Sequence, residues 1–289
     1  MFYWNADFNQ DLSNWDVSNV TDMHRMFQQC FDFNQDISSW NVSSVTDFHS
    51  FLNGALAFEG IGLENWDVSS VTNMSYMFAL NYGFNQDISG WDVSQATSMQ
   101  SMFNGASSFN IDLSDWDVSS VTDISHMFNE AGSFNQDISS WDVSNVTHMH
   151  HMFNGAASFN QDLSGWDVSS GTNMDAMFDG ADALSEDNQC AIHTSFSSNE
   201  NWPYDWSESC GSDIFQPQTK AELQTAVNMW VGGGGYADGN IYTDDYYVNN
   251  EEALETYGEI NTWDVSLITD MELLFAGEWN APSPFNDDI

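Results

Sequence analysis

The residues that could do chemistry in this chain come in columns. Aspartate follows tryptophan at Asp16, Asp67, Asp92, Asp117, Asp142 and Asp167, a series interrupted only by Asn41. A second series, mostly from F-N-Q-D, supplies Asp11, Asp36, Asp87, Asp112, Asp137 and Asp162. Oxygen-rich, nitrogen-poor surfaces suit hard cations, so Ca²⁺ is the cofactor these carboxylates would take. Copies one strand spacing apart, about 4.7–4.9 Å, would repel unless screened or bridged. The plainer reading is a solvated acidic face whose aspartates cap turn amides. A weaker calcium candidate, Asp238–Asp245 (DGNIYTDD), misses the EF-hand pattern at its fifth position and its glycine.

Histidines are the other candidate ligands. His148-x-His150-His151 looks like a metal tract, and His126 falls one repeat below His151. The same positions elsewhere hold Ser, Arg and Asp, so variable surface is the stronger expectation there than a transition-metal site. No G-x-S-x-G, H-E-x-x-H or phosphate-binding glycine loop occurs, and Gly232–Gly235 lacks the lysine such a loop needs. We expect no catalytic residues and no enzyme. Cys190 and Cys210 flank an aromatic segment and could pair, which would suit an oxidising setting. Cys30 stands where other repeats carry Ala106 or Ala156, so it reads as a small buried residue.

What positions these residues is a repeat. Tryptophan returns at Trp15, Trp40, Trp66, Trp91, Trp116, Trp141 and Trp166 in steps of 25 or 26, with an eighth copy at Trp263. A fixed period in this range signals stacked coils that bury a shared core. The copy at Phe134–Ser158 places Ile138, Trp141, Val143, Val146, Met149, Met152 and Phe153 at the spacing of a leucine-rich repeat, L-x-x-L-x-L-x-x-N-x-L-x-x-L. Alternation in W-x-V predicts a short strand, and V-x-x-M-x-x-M-F predicts a helical or 3₁₀ turn with its apolar side inward. The expected fold is therefore an α/β repeat, a leucine-rich-repeat-like right-handed solenoid of about eight 25-residue coils with helical caps. One extra residue before Trp66 should bulge locally without breaking the stack.

Composition narrows the partners. Forty-four Asp and Glu stand against two basic residues, Arg25 and Lys220, for a formal net charge of −42. Such a field repels phosphate, so no nucleic-acid partner is expected. No apolar run approaches the roughly 18–20 residues of a membrane span.

The F-N-x-D-I-S-x-W-D-V-S-x-V-T-x-M-x-x-M-F unit resembles the BspA-like leucine-rich-repeat family of bacterial surface proteins. That resemblance implies an extracellular or cell-surface, non-enzymatic repeat protein used in attachment or assembly. It carries over no defined ligand.

In chain order, coils are expected over 1–181 and a C-terminal cap with a helix over 182–212. A linker and helical N-terminal cap of a following unit are expected over 213–258, and its first coil over 259–289. Ser185 should cap a helix running to about Phe196, and Trp202-Pro203-Tyr204-Asp205-Trp206 should cover the last coil. Thr219-Lys220-Ala221-Glu222 is a capping box, predicting a helix through Trp230. Ile289 and Met1 fall in the same repeat register, which suggests tandem units or self-association head to tail into a fibre. The reading that follows is an extracellular structural module of a bacterial surface fibre, stalk or adhesin, stabilised by divalent cations on the aspartate ladders. The alternative is an adhesin that holds a partner protein or glycan on its concave strand face.

Overall fold

A computed structural model describes residues 1–210 and 219–230. The chain divides into two compact units, Met1–Trp206 and Ser207–Ile289. The expected coil over 259–289, most of the 213–258 segment and the Asp238–Asp245 candidate lie outside the described residues.

The first unit is a stack of coils, but its coils are built from turns. The expected α/β leucine-rich-repeat-like solenoid is not formed: among the described residues there is no named strand and no sheet, only isolated parallel bridges. The repeat copy with Trp141 shows why. Its amides turn back three residues, Trp141 to Ile138 O, Val146 to Val143 O, Met152 to Met149 O and Ala156 to Phe153 O. Each pair of apolar residues three apart thus marks the two ends of a four-residue turn, and the residues between them are its corners. Within W-D-V-S, Asp142 Oδ1 accepts the Ser144 amide at 3.1 Å, bending the segment the alternation pattern assigned to a strand.

The expected helical or 3₁₀ segment is likewise a ribbon of turns. His151 and Gly155 have φ of 55° and 70°, so every fourth residue of this stretch is left-handed and no helix can propagate through it. Arg25, Ser50, Tyr76, Ser101, His126 and Ala176 hold the same conformation in the other coils.

Register between coils is set by hydrogen bonds running both ways. Amides of Ile124, His126, Phe128 and Glu130 donate forward to the carbonyls of His148, His150, Met152 and Asn154. Thr147 donates backward through both its amide and its Oγ1 to Thr122 O, at 2.9 and 3.1 Å. Parallel bridges link Asp22, Asp47, Asn73, Ser98, Asp123, His148 and Asn173 in succession. One bridge per interface, with the flanking amides alternately turned into their own coil, is why pairing never extends into a strand.

Two side-chain ladders reinforce this register. Each indole Nε1 from Trp40 to Trp166 donates to a Leu or Ile carbonyl of the preceding coil, at 2.9–3.2 Å. This explains tryptophan in a slot where leucine would fill the space: it also satisfies a buried carbonyl. The asparagine of F-N-Q-D does the reverse, with Asn85 Oδ1 accepting the Asn110 amide and Asn110 Oδ1 the Asn135 amide, both at 2.9 Å.

The core is continuous through the unit, and its largest fully buried side chains are phenylalanines, Phe128, Phe134 and Phe153 among them. Phe128 stacks on Phe134 within its coil at 3.8 Å and on Phe153 of the next at 5.8 Å. The extra residue before Trp66 is absorbed where Gly60 and Gly62 adopt φ of 77° and 89°, ahead of a short 3₁₀ turn at Leu63–Asn65. A Cβ on Gly62 would lie 2.2 Å from Ser38 Cβ, so the bulge needs glycine there, and the tryptophan ladder continues past it.

Helix α1, Glu186–Phe196, begins where expected, with Ser185 Oγ accepting the Asn188 amide. It buries Ile192 and Phe196. Trp202, Tyr204 and Trp206 then pack around Phe178 of the last coil, with centroids 5.5–6.2 Å away. The Tyr204 hydroxyl donates to Asp179 Oδ1 and accepts the Phe178 amide, both at 2.8 Å. Burial, first of all, pushes the pKa of this phenol well up.

In the second unit, α2 spans Lys220–Trp230, and the Glu222 amide bonds Thr219 Oγ1, the first half of the expected capping box. Cys190 and Cys210 are disulfide-bonded, and Cys30 is a buried free thiol.

Candidate functional site: aspartate columns and a histidine ridge

The two aspartate series form columns up the stack, as the repeat requires. Every one of Asp11, Asp16, Asp36, Asp67, Asp87, Asp92, Asp112, Asp117, Asp137, Asp142, Asp162 and Asp167 turns Oδ1 onto the amide of the serine two residues on, at 2.8–3.1 Å. In several the serine hydroxyl donates to the same oxygen, as Ser94 Oγ does to Asp92 at 2.7 Å. Those serine hydrogen bonds hold the carboxyls of Asp16, Asp67, Asp92, Asp142 and Asp167 below the usual range, hydroxyl first and amide second. For Asp11 and Asp137 the amide contributes most. Asn41 takes the same role in its coil, accepting from the Ser43 amide and hydroxyl.

These carboxylates therefore act as turn caps that keep one oxygen toward solvent. Among the described residues, no three of them bring ligand oxygens within 4.8 Å of one another. The columns form an anionic surface.

A tighter constellation stands elsewhere. The corner residues of the turn ribbon form their own columns, and six of the seven histidines sit on them: His24, His49, His126, His148, His150 and His151. His126 stacks on His151 at 4.7 Å and meets His150 edge-on at 5.0 Å. Burial, ahead of neighbouring charge, lowers the pKa of His49, His126 and His150, favouring neutral imidazoles. The H-x-H-H tract is thus a real cluster, yet it forms no three-ligand set.

At the other end of the ridge, Asp22, His24 and Asp47 each offer a ligand atom within 4.8 Å of the others. Consensus reading of the repeat missed this group because it discards the variable positions. The available signal was D-x-H at the same register in consecutive coils, Asp22-Met23-His24 and Asp47-Phe48-His49.

A groove of about 670 Å³ opens beside the last coil, lined by Ser164, Trp166, Ser169, Ser195, Asn199 and Asn201 among others. Asn199 Nδ2 already occupies the Val168 and Gly171 carbonyls there, at 2.7 and 2.9 Å. Among the described residues no helix is long and apolar enough to cross a membrane.

The repeat is shared with other proteins. The family described as "Mycoplasma protein of unknown function, DUF285" matches residues 1–62, 49–121, 111–201 and 244–289. The chain belongs to this family. The DUF285 matches overlap along the coils and resume over the last repeat copy, outside the described residues. No curated protein and no solved structure matches the chain.

Proposed function

We propose that this DUF285 chain is a structural repeat module of a bacterial surface fibre, stalk or adhesin, working outside the cell by stacking and self-association. The observation that supports this most is the use of the repeat's own polar side chains. Tryptophan Nε1, asparagine Oδ1 and threonine Oγ1 each serve a neighbouring coil, in the same geometry from coil to coil. Side chains that would otherwise recognise a ligand hold the stack together. The resemblance of the repeat to bacterial surface proteins points the same way.

The exposed carboxylates give the module its solvent-facing character. Divalent cations such as Ca²⁺ would act on the columns as counterions that screen the charge along the stack and between neighbouring molecules. The rival adhesin reading placed a partner protein or glycan on a concave strand face, and that strand face is not formed among the described residues. Sedimentation and negative-stain microscopy, with and without millimolar Ca²⁺, test the proposal. Calcium-promoted assembly into extended particles is the expected result. Monomers at every protein and calcium concentration would overturn the self-association.

A further inference from the structure

We propose that Asp22, His24 and Asp47 form a binding site for one divalent transition-metal ion of the Zn²⁺ type, bridging the first two coils. The three donors lie within 4.8 Å of one another, before any ion draws them in. Four ligands at about 2.0–2.1 Å on a tetrahedron stand about 3.3 Å apart, so closing the site needs small side-chain rotations only.

The backbone beneath the site is already fixed. Asp22 and Asp47 face each other across a parallel bridge. The Met23 amide donates to Asp47 O at 3.0 Å and the Arg25 amide to His49 O at 2.9 Å. Each carboxylate is also oriented locally, Asp22 Oδ1 by the His24 amide at 2.8 Å and Asp47 Oδ1 by the His49 amide at 2.7 Å. Each keeps its other oxygen for a ligand. His49, whose ring centroid is 4.7 Å from that of His24, is the neighbour best placed for a fourth position, which water could equally fill.

Donor chemistry selects the metal class. Two carboxylates with an imidazole match Zn²⁺ and its neighbours, whereas Ca²⁺ takes six to eight oxygens. The surrounding field favours any cation, given the net charge of −42. Arg25 opposes it locally, since its charge bears on His49. The His126–His151 end of the ridge has more imidazoles but no three converging donors, so it is the natural control.

The test uses the whole chain, stripped with a chelator and titrated with Zn²⁺ by calorimetry in millimolar Ca²⁺, which occupies the general carboxylate surface. One saturable site per chain is expected. His24→Ala and Asp47→Asn should each weaken it by about tenfold or more, on the scale of lost metal-site groups. His150→Ala should leave it unchanged. Asp47→Asn preserves the turn, because Asn73 caps the Ser75 amide in the same column at 3.1 Å. Circular dichroism of each variant checks the fold. Co²⁺ absorption gives a second readout, with ligand-field bands that His24→Ala should shift and weaken through loss of the imidazole nitrogen. The proposal is overturned if no saturable event appears, if all variants bind alike, or if His150→Ala is the variant that loses the metal.

Discussion

Asn81 occupies a column of the coil where every other residue from Cys30 to Ala181 is small. Cys30, Ala55, Ala106, Ala131, Ala156 and Ala181 fill that column, all buried. Asn81 is fully buried as well, and neither its Nδ2 nor its Oδ1 meets a hydrogen-bond partner in the protein. An unsatisfied buried polar group costs about 1–3 kcal/mol. Removing the carboxamide leaves a void of roughly 50 Å³, which at about 24 cal/mol per Å³ costs about 1 kcal/mol. Asn81→Ala should therefore stabilise the unit by about 1 kcal/mol net, and at most about 2. For a unit of this size each kcal/mol shifts Tm by about 2–4 °C, so calorimetric unfolding should show a rise of a few degrees. A fall in Tm would refute the reasoning. It would show that a buried water or a local rearrangement satisfies the amide, and that the column is not uniformly apolar.

Three further outcomes follow from the coil geometry. Trp116→Phe removes the indole bond to Ile88 O at 3.2 Å and should cost about 2–3 kcal/mol in denaturant unfolding, while Trp15→Phe, at a tryptophan 40% exposed, should cost under about 1. Gly54 has φ of 72° and a Cβ there would lie 2.4 Å from Gln29 Nε2, so Gly54→Ala should cost about 1–2 kcal/mol, against no more than about 0.5 for Gly132→Ala, where a Cβ meets nothing within 4 Å. Ser94→Ala should move the Asp92 carboxyl back up toward the usual carboxylate range in an NMR titration, because the hydroxyl bond is the largest cause of its depression. The sign for stability follows: a depressed folded-state pKa gives stabilisation that is present above the unfolded value and lost as pH falls through the folded one, so the variant should sacrifice some of it near neutral pH.

The period and the inward lattice were legible in the sequence, because a fixed period puts equivalent residues in equivalent places. Ile138, Trp141, Val143, Val146, Met149, Met152 and Phe153 are all buried. Caps were legible for a different reason: Ser185 and Thr219 have local hydrogen-bond chemistry that needs no knowledge of the stack. The strand and the helical segment were misread because period 2 and a step of three are also what successive four-residue turns produce. What decided between them was the sign of φ at Ser101, His126 and His151, which residue type does not reveal. The aspartates were legible as columns, and their capping role was foreseeable from D-x-S. The Asp22–His24–Asp47 group was legible only as D-x-H at one register in two consecutive coils, a signal that averaging over the repeats discards.

Large side chains and glycine alternate from Gln29 to Gly155 along one of the left-handed columns, between Trp4 before it and Gly180 after it. Gln29, Gly54, Leu80, Gly105, Glu130, Gly155 and Gly180 all have positive φ, and a Cβ on Gly105 or Gly155 would come within 3.1–3.4 Å of Leu80 or Glu130 side-chain atoms. Glycine is favoured there first by its own backbone, and at Gly105 also by the close Leu80 side chain. A coil carrying Gln, Leu or Glu bears the left-handed strain, on the order of 1–2 kcal/mol, and its side chain lies over the glycine of the next. The repeats therefore differ at this position, with the side chains of Gln29, Leu80 and Glu130 each lying over the glycine of the coil that follows. Within Gln29 to Gly155 these close approaches are made between consecutive coils, contacts that a single-repeat consensus averages away.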